Sequence, residues 1–156
     1  MLPRISLALS GALAAVMLAG TAAAQDCPSE PAFVPQSAGN RDVAAAATRV
    51  ERQEWRAAEA FGWRAVEGAS STVQGAAYVN LCAAVAHRSR DQLMAICDAG
   101  VAMSEIQWTA HTNRGAARWM EGDLAGAAED FRAAAELAPD EPAVRHNLAL
   151  AACAAE

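Results

Sequence analysis

The chain has 156 residues, which by size is about one domain, and its 18 acidic residues outnumber its 12 basic ones for a net charge of −6. That balance argues against a nucleic-acid partner and against docking on an anionic membrane surface. Apolar residues make up 54% of the chain but aromatics only 5%. The difference is alanine, the strongest helix former, and the β-branched and aromatic runs that strands favour are missing, so the composition points to an all-α fold.

Residues 1–24 read as a secretory signal peptide. Arg4 supplies the positive start, Ile5 to Leu18 is an uncharged apolar run, and Ala22-Ala23-Ala24 offers small residues for cleavage before Gln25. The apolar run is short for a span of about 20 residues, so no stable membrane span is expected after cleavage. Asp26 before Cys27 does not fit a lipobox. The expected location is outside the cytoplasm, in the periplasm or secreted. Losing Arg4 and no acid leaves 11 basic against 18 acidic residues, a net of −7. Residues 25–40 hold Pro28, Pro31, Pro35 and Gly39, too broken for a helix, and read as an extended arm.

From Arg41 onward the pattern is helical, to residue 156. Breaks are expected near Gln53-Glu54, at Gly68 to Thr72, around Ser89 to Asp91, near Ser104 to Gln107, at Glu121-Gly122-Asp123 and at Pro139 to Pro142. Each piece between is about a dozen residues or a little more, a helix-turn-helix rhythm. Asn113 and Asn147 lie 34 residues apart, within Thr112-Asn113-Arg114-Gly115 and His146-Asn147-Leu148-Ala149. Asn80 lies 33 residues before Asn113, within Val79-Asn80-Leu81-Cys82. Two helices per period of about 34 residues is the tetratricopeptide spacing.

The block from Trp108 to Glu141 resembles a tetratricopeptide repeat. Gly115 matches the small residue of the first helix, and Gly122-Asp123 matches the turn. Ala127, Phe131 and Ala134 match the small–aromatic–small ladder of the second helix, and Leu137 with Pro139-Asp140 matches the exit. His111 and Arg114 replace the usual aromatic and leucine, and Trp119 falls one residue past the usual tyrosine. The blocks at Gln74 to Ile106 and Arg41 to Ser71 match more loosely: the former has Cys97 at the aromatic position, and its turn, Arg88-Ser89-Arg90-Asp91, has no glycine. Ala143 to Ala155 resembles a first helix alone. The resemblance implies antiparallel helix-hairpin repeats forming a solenoid, about three repeats plus a C-terminal capping helix. A plain alanine-rich bundle is the alternative.

Four cysteines survive signal removal, and an oxidising compartment makes two disulfides from them in one of three connectivities. Cys82 and Cys97 lie on the two helices of one hairpin at similar distances from its turn, which favours pairing them and leaves Cys27 with Cys153, arm to final helix. The bland alternative makes Cys82 and Cys97 small buried core residues. No CxxC motif is present, and His87, His111 and His146 have no metal-ligand spacing, so neither a metal nor a cofactor is expected. His111 is expected between helices and His146 at the groove or in solvent. No GxSxG, phosphate loop or dinucleotide motif points to an enzyme. The pairs Glu129-Asp130 and Asp140-Glu141 read as solvated helix faces, and Ser70-Ser71 and Ser104 as cap or turn residues.

Tetratricopeptide arrays bind peptides on the concave face of their first helices. The resemblance implies that Thr109, Thr112, Trp119 and His146 line this groove, with Val79 and His87 nearby, and that Trp119 is the aromatic anchor. A tryptophan filling a core gap is the alternative for Trp119. The expected function is therefore an exported adaptor or scaffold that binds a peptide segment of another protein without catalysis. The rival expectation is a self-associating envelope or assembly component whose groove is filled by its own arm. A third is an accessory subunit of an enzyme.

Overall fold

The computed structural model describes residues 27–68 and 70–155. The proposed signal peptide lies outside the described residues. Among the described residues seven α-helices follow the arm: α1 (Arg41–Glu51), α2 (Trp55–Gly68), α3 (Ser71–Ala86), α4 (Leu93–Met103), α5 (Gln107–Glu121), α6 (Leu124–Leu137) and α7 (Pro142–Cys153). The breaks between them fall where the sequence places its punctuation. Asn40 caps α1, its side chain accepting from the amides of Asp42 and Val43. Gly122 ends α5 at φ 85°, a left-handed conformation that glycine adopts without a Cβ penalty. Asp123 then caps α6, and Pro142 opens α7, where its missing N–H has no helical partner to lose. The glycine-free turn before α4 reaches the same left-handed region with Arg90 (φ 56°) and Gln92 (φ 57°).

Each helix packs antiparallel on the next. In addition α1 packs on α3, α3 on α5 and α5 on α7, whereas among the described residues no even helix packs on another. The odd helices therefore form one continuous layer, backed by α2, α4 and α6. Small residues allow this spacing. A Cβ on Gly115 of α5 would come 2.6 Å from the ring of Phe131 on α6. That ring, 1% exposed, fills the space between the helices beside Ala116 and Ala127.

The departures at His111 and Arg114 have a common cause in Asp130, on α6. Asp130 is 2% exposed, so its place is the helix interface and not the solvated face expected from its acid pair. Arg114 donates to both its oxygens, Nε to Oδ2 at 2.9 Å and Nη2 to Oδ1 at 2.7 Å. Arg118 donates to Oδ2 at 2.9 Å and His111 Nδ1 to Oδ1 at 2.8 Å. A buried carboxylate needs this many donors. The hydrogen bonds to Asp130, offset in part by burial, raise the Arg114 pKa above its ordinary value and keep it charged.

Both cysteine pairs are bonded. Cys82–Cys97 joins α3 to α4 inside the core formed with Leu81, Val85, Leu93 and Ile96. These two cysteines are thus both core residues and a disulfide. Cys27–Cys153 joins the arm to the end of α7, 126 residues apart in sequence. Two such bonds suit an oxidising, extracytoplasmic compartment. No helix among the described residues is long and apolar enough to cross a membrane.

The close approach of α5 to α6 is testable. Gly115→Ala should cost about 1–3 kcal/mol by forcing Phe131 aside, and adding Phe131→Leu should recover part of the loss. Urea unfolding of the single and double variants measures both; strictly additive losses would contradict this packing.

Candidate functional site

The arm has no helical hydrogen bonds of its own, so its backbone groups need partners elsewhere. Three asparagines on the odd-helix layer supply them. Asn147 on α7 accepts from the Ala32 amide at 2.8 Å and donates to the Ala32 carbonyl at 2.9 Å. Asn113 on α5 does the same with Val34, at 2.8 and 2.9 Å. Asn80 on α3 does so with Gln36, at 2.9 and 2.8 Å. Each side-chain amide thus mimics one residue of a neighbouring β-strand, exchanging two bonds with a single arm residue. Asn113 also donates to the Val79 carbonyl at 2.9 Å, tying α5 to α3. All three asparagines are fully buried.

The paired arm residues recur every second position while the asparagines recur about every 34. The arm therefore crosses the odd helices from α7 to α5 to α3, with residues 33 and 35 between the clamps, and reaches α1 at its cap, Asn40. Alternate side chains point opposite ways, as an extended chain requires. The Gln36 side-chain oxygen accepts from the hydroxyls of Ser104 (2.9 Å) and Thr109 (2.5 Å) at the junction of α4 and α5. Phe33 points toward the other ends of α3 and α5. Its ring meets His87 edge-on at 5.0 Å, and His87 stacks on Trp55 at 3.9 Å. Burial lowers the His87 pKa, with Arg90 adding to the effect and Glu30 opposing it. At the start of the arm His146 Nε2 donates to the Glu30 carbonyl at 2.9 Å, and Cys27 is bonded to Cys153.

The residues expected on this face have different roles there. Thr109 and His146 touch the arm directly, at Gln36 and Glu30. Thr112 is buried on α5, and its hydroxyl donates to the Trp108 carbonyl at 2.7 Å, one turn back in its own helix. Trp119 packs against Ala116, Ala127 and Phe131 and also borders a cleft of about 320 Å³ with Glu30, Pro31 and His87. A second cleft of about 390 Å³ lies across His87, between Phe33 and Trp55. Asn80, Asn113, Asn147, Gln36 and Ser104 complete the site. The asparagines were visible in the sequence as markers of the period, without a role.

Among the described residues no group of three or more His, Cys, Asp or Glu side chains is placed to hold a metal ion. No protein-family model matches the sequence, and no curated protein or solved structure matches it.

Asn113→Ala removes three hydrogen bonds and leaves the buried backbone of Val34 without partners. It should cost about 2–4 kcal/mol in urea unfolding. Thr112→Ser keeps its hydroxyl and should cost less; equal losses would contradict the ladder's place in the fold.

Proposed function

We propose that the chain is an exported tetratricopeptide-like interaction module whose odd helices form a groove for an extended peptide, and that it acts by binding without catalysis. The asparagine ladder carries this reading. Its amides engage a backbone N–H and C=O, groups every polypeptide has, and so select extended conformation before side-chain identity. The hydroxyls of Ser104 and Thr109 and the aromatic site around His87 add preference at the positions of Gln36 and Phe33. The recurrence of asparagine at 33 and 34 residues supports the repeat reading, and the two disulfides support a periplasmic or secreted location.

A second reading has a specific observation behind it. The groove is filled by the protein's own arm, held at one end by Cys27–Cys153 and at the other by α1. On that reading the arm is a permanent part of the fold, and the protein is an assembly component that meets its partners through other surfaces.

The two readings separate when the arm is exchanged. The full chain is folded with its arm in place, cut at a protease site introduced at Ser37 to Gly39, where Ser37 and Gly39 are exposed, and treated with a dithiol. A fluorescent peptide of residues 31–38 should then replace the arm and bind saturably, with a dissociation constant in the micromolar range. Binding should fall at least tenfold in Asn113→Ala. A nicked, folded protein that does not take up the peptide would leave only the assembly reading.

A further inference from the structure

The arm is tethered at both ends, but the two tethers differ in kind. At residue 40 it continues into α1, a connection that only proteolysis removes. At residue 27 it is held by a disulfide that a thiol can open. The two disulfides also differ in access. Cys82 and Cys97 are each 1% exposed and sit in the core. Cys27 is exposed and Cys153 partly so. Exchange requires a thiolate to reach a sulfur, so an external dithiol meets Cys27–Cys153 first.

From these observations we propose that Cys27–Cys153 is a redox gate on the peptide groove, and that its reduction opens the α7 and α5 end to an extended segment of another polypeptide. The inference rests on the groove reading above. The thiolate of a dithiol attacks Cys27 Sγ; the disulfide breaks, and the electron pair leaves on Cys153 Sγ, which takes a proton. The dithiol's second thiol then attacks the mixed disulfide and frees Cys27 as a thiol. The dithiol ends as a disulfide, and two electrons and two protons have passed to the cysteines.

The arm then frays from its free end. The His146 bond to Glu30 is exposed and goes first. The Asn147 clamp on Ala32 is part-buried, whereas those on Val34 and Gln36 are buried. Asn80, with Ser104 and Thr109 on the Gln36 side chain, holds the other end closed. The site uncovered therefore comprises Asn147 and Asn113 and the aromatic surface between His87 and Trp119. It fits a segment with two backbone-paired residues on either side of an aromatic one, as Ala32 and Val34 flank Phe33. The segment carries no charge over this stretch, because residues 31–36 of the arm carry none. While both tethers hold, the arm's effective concentration excludes such a ligand; with one released, a ligand in excess competes.

The test uses the full, uncut chain and the fluorescent peptide of residues 31–38, followed by anisotropy. Three forms are compared: oxidised protein, protein treated with graded dithiol, and Cys27→Ser/Cys153→Ser. The expected result is at least tenfold tighter binding by the reduced and double-serine forms than by the oxidised form. Replacing the phenylalanine of the peptide with alanine should weaken that binding. Alkylation and mass spectrometry should find Cys27 and Cys153 modified while Cys82–Cys97 stays intact. Equal binding by all three forms, or loss of Cys82–Cys97 at the same dithiol concentration, overturns the gate. If the nicked protein binds the peptide and the uncut reduced protein does not, the gate is wrong and the groove reading stands. If neither binds, both fall. Dimers of reduced protein in the absence of peptide would make a second copy's arm the occupant and overturn the proposed partner.

Discussion

An asparagine amide buried on an alanine-rich helical layer needs both a donor and an acceptor, and alanine side chains offer neither. At Asn80, Asn113 and Asn147 the partners are the backbone groups of one extended segment, so the helices and the arm satisfy each other. Without the arm, three polar side chains would face water from a layer whose other residues are mostly small and apolar. Without the asparagines, the arm's backbone would be covered but unpaired. This mutual requirement connects α3, α5 and α7 through a chain segment that is not helical.

The remaining features keep that layer in register. Cys82–Cys97 fixes α4 against α3, and Asp130 fixes α6 against α5 through Arg114, Arg118 and His111. Cys27–Cys153 ties the arm to the end of α7. By loop-closure entropy the two disulfides differ, contributing about 3 kcal/mol for a separation of 15 residues and about 5 kcal/mol for one of 126. The longer one also places Cys27, at the start of the described arm, beside α7, where His146 and Asn147 begin the ladder. The odd-helix layer, the arm and the disulfide that retains the arm thus form one connected unit.

Much of the helical architecture was legible because it depends on local signals. Asn40, Gly122-Asp123 and Pro142 stop or start helices for reasons written in their own side chains. The opposition of Cys82 and Cys97 followed from their equal distance to one turn. The site was less legible because it depends on pairing between segments far apart in sequence. The spacing of Asn80, Asn113 and Asn147 marks a period but does not by itself indicate that all three are buried. A polar residue recurring on an otherwise small and apolar face was the available signal, since it asks what it bonds to. Asp130 is illegible for a similar reason: beside Glu129 it resembles a surface acid, and only packing α6 on α5 brings Arg114 and Arg118 to it. Gln36 offered no signal, because its partners Ser104 and Thr109 read separately as a turn residue and a groove residue.

The ladder makes an alternating pattern along the arm. The amides of Ala32, Val34 and Gln36 each donate to an asparagine, whereas Phe33 lies between clamps, and Pro31 and Pro35 have no amide hydrogen. Residue-resolved hydrogen exchange of the oxidised protein, measured by NMR, reads this directly. Ala32, Val34 and Gln36 should be protected and Phe33 should exchange faster, and Asn147→Ala should release Ala32 while Gln36 stays protected. Uniformly fast exchange along the arm, or a variant that releases all positions together, would contradict an asparagine ladder that holds the arm residue by residue.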